Sequence, residues 1–272
     1  MNPTAEYLIH SYHSGKWAEH RDSLTVEEPL EIHVVRTSPK AVKILATTMR
    51  TPGHDDELAA GFLFSEGLIH TDTEIEKIEQ ASENTVRIFV SKKLFETIEK
   101  SESLNRYSFV NASCGVCGRT SIEDLREKGF KRVDVSLSVS PKVIVGLSEE
   151  MKRAQKIFHY TGGLHAAGLF DLKGEPSCVR EDVGRHNAVD KILGESLLRN
   201  ALPLSANILI VSGRLSYEIV QKAISAQIPI IAAISAPSNL AIKVAHEFGV
   251  TLIGFLRDAS FNVYTNDSRI SR

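Results

Sequence analysis

The sequence predicts an α/β protein in two parts, a small α+β unit over residues 23–110 and a larger α/β domain over residues 111–272. Three observations predict it. Short β-branched runs alternate with polar residues in the first half, near-continuous apolar runs alternate with helix-periodic segments in the second, and turn residues punctuate both. A length of 272 residues suits one large domain or two modest ones, and 42% hydrophobic with 24% charged residues is ordinary globular composition, which excludes fibrous and disordered classes.

Residues 1–22 are polar, rich in His and Ser and without sustained periodicity, and read as a loosely held, flexible arm. In Glu28–Arg36, Leu30, Ile32 and Val34 alternate with charged neighbours, as in a half-buried strand. Val42–Met49 is a second strand, ended by Thr51-Pro52-Gly53. His54–Ser65 then places Asp55, Asp56 and Glu57 at the positive end of a helix dipole, with Leu58, Phe62 and Leu63 as one apolar stripe. Thr85–Val90 is another strand, which makes the first unit a meandering sheet with a helix.

The second half has a different rhythm. Asn207–Ser212 is an apolar run, and Ile219, Val220, Ala223 and Ile224 recur at helical spacing. Ile228–Ile234 is a strand, a helix opens at Ser238 and closes at Gly249, and Val250–Leu256 is a further strand. This order predicts a buried parallel sheet covered by helices.

Global charge points to no nucleic-acid partner, since 32 basic and 34 acidic side chains leave a net charge of -2. The longest apolar stretch, Ile228–Ala236, is too short to span a bilayer, and Met1–His10 carries no secretory signal pattern, so a cytoplasmic protein without a membrane partner is expected. Cys114, Cys117 and Cys178 are too few for a disulfide framework.

The sharpest local signal is Asn111-Ala-Ser-Cys114-Gly-Val-Cys117-Gly-Arg119, followed by the capping-box pattern Thr120-Ser-Ile-Glu123. Thiols ahead of a helix N-terminus and beside an arginine favour the thiolate, the reactive form. Several uses fit this pair. A structural zinc site needs four ligands, which a single chain lacks unless two copies pool their thiolates or histidines are recruited from elsewhere. A dithiol redox pair, a persulfide carrier and two inert cysteines in a turn also fit the spacing.

A second constellation is Tyr160-Thr-Gly162-Gly163-Leu-His165, followed by Cys178–Lys191. Gly162 and Gly163 permit close approach of a ligand to the backbone, while Arg180, Arg185, His186 and Lys191 offer donors for phosphate or another anion. A helix from about Asn187 would turn its first amides to the same group. The competing reading is an ion-pair network of Arg180 with Glu181 or Asp182, and a core hydrogen bond at His165.

A third observation is topological. In open parallel sheets ligands settle beyond the carboxyl ends of strands. Three such ends carry Ser212-Gly213-Arg214, Ser235-Ala-Pro-Ser238 and Arg257-Asp258-Ala259-Ser260, a set suited to a phosphorylated, nucleotide-bearing ligand. Neither a P-loop nor a Gly-x-Gly-x-x-Gly fingerprint is present, which disfavours nucleotide hydrolysis and dinucleotide redox chemistry.

Taken in order, Val26-Glu-Glu-Pro-Leu-Glu-Ile32, Thr51-Pro-Gly53, Glu57–Gly67, Ser113-Cys-Gly-Val-Cys-Gly118, Thr161-Gly-Gly-Leu-His-Ala-Ala167, Glu181–Lys191 and Ser212-Gly-Arg214 make the chain resemble the FdhD family, the formate dehydrogenase accessory sulfurtransferases. The resemblance implies a cytidine-deaminase-like three-layer C-terminal domain behind a smaller N-terminal α+β domain. Zinc deaminases pair His-x-Glu with Pro-Cys-x-x-Cys, whereas His165 here precedes Ala166-Ala167 and Ser113 precedes Cys114, so deamination is not expected.

The resemblance further implies a sulfur relay. A cysteine desulfurase loads sulfur onto the cysteine loop, and the protein delivers it to bis(molybdopterin guanine dinucleotide)-molybdenum before that cofactor enters formate dehydrogenase. The persulfide position maps to Cys114, with Cys117 as the second thiol. The cofactor-contacting segment maps to Phe255-Leu256-Arg257-Asp258-Ala259-Ser260, guanine nucleotides should mimic the cofactor, and a homodimer is expected. The alternative is a non-catalytic chaperone that binds the same cofactor while its cysteines serve redox or zinc chemistry.

Overall fold

The computed structural model describes residues 1–100 and 122–272. The chain begins with a hairpin of β1 (Thr4–His13) and β2 (Lys16–Thr25), in register from Thr4↔Thr25 to His13↔Lys16. Ser14 and Gly15 form its turn, both with positive φ, which matches the twist of the flanking strands. This corrects the expectation of an arm without regular structure. Tyr7, Leu8, Tyr12 and Trp17 are exposed on the ribbon, so no single apolar face marks it in the sequence.

The next sheet contains β3 (Glu28–Arg36), β4 (Ala41–Arg50), β5 (Ile75–Ser82) and β6 (Thr85–Val90), in the order β4-β3-β6-β5. It is not a meander, because β3 and β6 pair in parallel across the helix α1 (Asp55–Ser65). Leu30, Ile32, Val34, Val86, Ile88 and Val90 alternate inward and are buried. Helix α1 shows more than the expected stripe: Leu58 to Ser65 is buried throughout. The sheet covers one side and α6 (Arg185–Leu198) and α7 (Tyr217–Ser225) cover the other, which leaves α1 no solvent face beyond its first turn. Helix α2 (Lys92–Lys100) packs on β3.

After the short α3 (Ile122–Glu127) come α4 (Pro141–Ala154) and α5 (Phe158–Thr161). A six-stranded sheet then runs β12-β11-β10-β9-β7-β8, built from β7 (His165–Asp171), β8 (Pro176–Asp182), β9 (Asn207–Val211), β10 (Ile230–Ala233), β11 (Thr251–Arg257) and β12 (Ser260–Thr265). Only β9, β10 and β11 are parallel. β7 runs antiparallel to both β8 and β9, and β12 antiparallel to β11, so the sheet is mixed where a parallel one was expected.

Each apolar run faces both ways. Ile208, Ile210, Ile230 and Ile253 pack under α4 with Ile144, Leu147 and Met151. Leu209, Val211, Ile231 and Leu252 pack on the other face, where α6, α7 and α8 (Asn239–Glu247) lie. That second core continues without a break through α6 and α1 to the four-stranded sheet. The architecture is mixed α/β, with helices on both faces of the larger sheet. Among the described residues no helix is long and apolar enough to cross a membrane.

Candidate functional site

The strand directions bring the candidate segments to one edge of the six-stranded sheet. The carboxyl ends of β8, β9, β10 and β11 and the amino ends of β7 and β12 all emerge there, because β7 and β12 run opposite to their parallel neighbours. Gly162, Gly163 and His165 enter from β7, Arg185 and His186 follow β8, and Ser212-Gly213-Arg214 follows β9. The Phe255–Ser260 turn caps β11, about 10 Å from β9 at two strand spacings. Loops after β9 and β10 are joined by Leu215 N–H to Ala236 O at 3.1 Å and Ser238 N–H to Leu215 O at 2.9 Å.

At the centre, the Ser212 hydroxyl oxygen accepts from Ala166 N–H at 2.9 Å and lies 3.4 Å from His165 Nδ1. Gly213 has no room for a side chain. A Cβ there would lie 3.1 Å from Arg185 Cδ and 3.5 Å from His165 Nδ1, so the Arg185 stem and the imidazole press against the glycine backbone. His186 Nε2 lies 3.2 Å from Ser216 Oγ and 3.7 Å from Glu218. Burial and then the positive charge of Arg185 lower the pKa of both imidazoles, which are therefore neutral at neutral pH. The positive charge of this centre resides on Arg185 and Arg214.

Two residues expected to bind an anion are committed elsewhere. Lys191 is sealed against Asp182 at 2.7 Å, and Arg180 grips Glu57 through two hydrogen bonds of 2.5 and 2.7 Å. The ion-pair reading was right in kind for Arg180, but its partner is Glu57 of α1 and not Glu181 or Asp182. Glu181 instead accepts the amides of Ile157 and Phe158 at the start of α5. Asp182 also accepts from Gly184 N–H and Asn187 Nδ2 and from Thr51 N–H, which fixes the start of α6 beside the crevice. Helix α6 begins at Arg185, two residues before the expected start.

The paired glycines have local duties. Gly162 closes α5 with φ 63°, and a Cβ on Gly163 would lie 2.9 Å from Thr25 Oγ1, where the hairpin base docks through a 3.0 Å hydrogen bond from Thr25 to Thr161. In the last segment Phe255 has positive φ and its N–H donates to Ser235 O at 3.1 Å. Arg257 stacks over the Phe255 ring at 5.5 Å, and Asp258 and Ala259 form an exposed turn closed by Ser260 Oγ to Arg257 O at 3.3 Å. Leu256 is a correction, since its side chain is wholly buried in the core under α4 and cannot contact a ligand.

Cys114 and Cys117 lie outside the described residues, as do Arg119, Thr120 and Ser121. Cys178 is buried on β8, and burial pushes its thiol up to about 12, which makes it inert at neutral pH. Among the described residues no group of three or more His, Cys, Asp or Glu side chains is arranged to hold a metal ion. Sequence reasoning missed Ser216 and Glu218, which hold His186; their one signal is the position of Ser216 as the residue before α7.

Known proteins resemble this chain along most of its length. A model of the FdhD/NarQ family matches residues 25–271. A protein of Streptomyces avermitilis named sulfur carrier protein FdhD is 43% identical over 258 residues, 92% of this chain and 89% of that one. Another of the same name from Sulfurisphaera tokodaii is 47% identical over 249 residues, 92% of each chain. A crystal structure described as that of a formate dehydrogenase accessory protein from Desulfotalea psychrophila superposes with a TM-score of 0.75 at 23% identity, over 99% of this chain and 100% of the other, and shares its fold.

Proposed function

The chain belongs to the FdhD/NarQ family, and from that premise we propose that it is a cytoplasmic sulfurtransferase, a carrier that takes sulfur from a cysteine desulfurase as a persulfide on Cys114 and passes it to bis(molybdopterin guanine dinucleotide)-molybdenum, the cofactor of formate dehydrogenase. The Cys114 thiolate attacks the terminal sulfur of the desulfurase persulfide and expels the desulfurase thiolate, so the transferred sulfur keeps its oxidation state. Attack of Cys117 on Cys114 Sγ would then release sulfide to the cofactor and leave a Cys114–Cys117 disulfide, with the two thiolates supplying the two electrons. The working form is a homodimer, with the desulfurase and formate dehydrogenase as successive partners.

The observation that carries the cofactor half is the convergence of His165, Arg185, Ser212-Gly213-Arg214 and the Phe255–Ser260 turn on one sheet edge. Neutral imidazoles, together with the guanidiniums of Arg185 and Arg214 that no carboxylate of the described residues approaches within 4 Å, suit an anionic dinucleotide. In the expected experiment, intact-protein mass spectrometry after incubation with a desulfurase and cysteine gives an adduct of about 32 Da, removed by a thiol reductant and absent from Cys114→Ala. No adduct on the wild type with an active desulfurase would overturn the relay. A chaperone with a redox or zinc-binding cysteine pair predicts that result.

A further inference from the structure

Where the last turn of α4 leads into α5, an open cavity of about 620 Å³ is lined by residues of these two helices and their link, and by none of the strand ends that form the crevice. Lys152, Arg153 and Lys156 line it, and no carboxylate does. Lys152 and Arg153 reach back one turn to Glu149 and Glu150, exposed pairs of the weak kind, and Lys156 has no carboxylate of the described residues within 4 Å. Phe158 and Tyr160 add two aromatic rings that are 41% and 75% exposed.

Gln155 gives the cavity a polar feature of another kind. The residue lines the cavity and is only 6% exposed, yet its side-chain amide has no hydrogen-bond partner among the described residues. Nearly buried amides are ordinarily paired, so this one is free for a ligand. The aromatic wall is also set in advance, because Glu181 accepts the amides of Ile157 and Phe158, and Thr25 donates to Thr161 at the end of α5. Lys152, its pKa raised first by the hydrogen bond to Glu149, also feels the charge of Asp258 in the Phe255–Ser260 turn, which places the cavity beside the crevice mouth.

We propose that this α4–α5 cavity is a docking site for an acidic peptide segment with an aromatic or aliphatic anchor, carried by the protein that receives the ligand of the neighbouring crevice. The basic rim selects carboxylates, and the rings of Phe158 and Tyr160 take the anchor. The Gln155 amide carries donors and an acceptor together, the pairing that an extended main chain offers. The identity of the carrier, formate dehydrogenase, rests on the function proposed above; the chemistry of the docked segment does not.

Calorimetric titration of the full-length protein with a glutamate–tyrosine copolymer, with cofactor-free formate dehydrogenase and with GDP tests the site on wild type, Lys156→Glu, Tyr160→Ala and Gln155→Leu. Lys156 and Tyr160 are exposed, so their variants should unfold at the wild-type midpoint. Each should weaken the copolymer and the dehydrogenase about tenfold, and Gln155→Leu should weaken them about fivefold. Added salt should weaken both complexes, while GDP should bind all four proteins alike. Copolymer binding that is absent, or equal in all four proteins, overturns the proposal. Loss of GDP binding in Lys156→Glu overturns it too, since the cavity would then belong to the nucleotide crevice, and so does a changed oligomeric state in that variant, which would make the occupant a second copy. Copolymer binding through these residues without dehydrogenase binding leaves the docking site standing and defeats the formate dehydrogenase reading. Dehydrogenase binding that none of the variants alters does the reverse.

Discussion

Gly61 and Gly194 face one another where α1 crosses α6, so closely that a Cβ built on either would lie 2.8 Å from the backbone nitrogen of the other. The same atoms would meet carbonyl oxygens one turn away at 1.8 Å, Asp190 O for Gly61 and Glu57 O for Gly194. The two helices therefore touch backbone to backbone. The crossing joins the helix that carries Glu57 to the helix that begins with Arg185, so it sets the position of the crevice floor.

Gly61→Ala and Gly194→Ala should each destabilise the protein by about 3 kcal/mol or more in urea unfolding, since the helices must separate to admit a methyl group. Gly146→Ala in α4 is the contrasting case, with nothing within 4 Å of the added Cβ and a helical interior that favours alanine. It should be neutral or stabilising by up to about 1 kcal/mol. Losses below about 1 kcal/mol for both crossing glycines would show that the helices part easily.

What the sequence reveals and conceals follows from which interactions are local. Leu30, Ile32 and Val34 alternate within one strand, and Asn207–Val211 is apolar within one strand, so both elements are legible. The hairpin over Thr4–Thr25 is not, because an exposed ribbon needs no apolar face. The parallel pairing of Ile32 with Val86 and the grip of Arg180 on Glu57 join positions far apart in the chain, and no local pattern encodes either. At the site, Ser212-Gly213-Arg214 was legible as a strand end. Leu256 was misplaced because it sits within the strand alternation, which turns it inward.

Acid should weaken the link between α1 and β8 through Glu57. Burial would raise its pKa, but hydrogen bonds and charge from Arg180 and His54 outweigh burial and hold it at about 2, against an ordinary 4.5. A depressed folded-state pKa means a contribution fully present above about pH 4.5 and lost as pH falls toward 2. Wild-type urea midpoints should fall through that window. Glu57→Gln should be less stable at pH 7 and lose less on acidification; parallel pH profiles for the two proteins would contradict this.

Lys222 and Asp190 tie α7 to α6 at 2.7 Å, with Ser65 of α1 donating to the same carboxylate at 2.8 Å. The ion pair is buried, and burial pushes the Asp190 carboxyl upward in pKa. Lys222→Met should cost about 3–5 kcal/mol, because it strands that carboxylate in an apolar core. Asp190→Leu combined with Lys222→Met should recover most of the loss, as the charge is then gone. Denaturant unfolding of the two single variants and the double variant checks it, and additive losses would mean that the residues act independently.

The three cysteines should separate cleanly by chemistry. Cys178 is 7% exposed with its thiol pushed up to about 12, so an alkylating reagent at neutral pH should leave it unmodified until the protein is unfolded. Cys178→Ala should accordingly take up the sulfur adduct and support formate dehydrogenase maturation as the wild type does. Cys114→Ala should do neither while unfolding at the same urea concentration. Cys117→Ala should load sulfur but mature the enzyme poorly, because loading needs one thiolate and release of sulfide needs the second. Peptide mapping of the alkylated native protein together with maturation assays checks all three. Sulfur found on Cys178, or full maturation by Cys114→Ala, would move the relay away from the Cys-x-x-Cys loop.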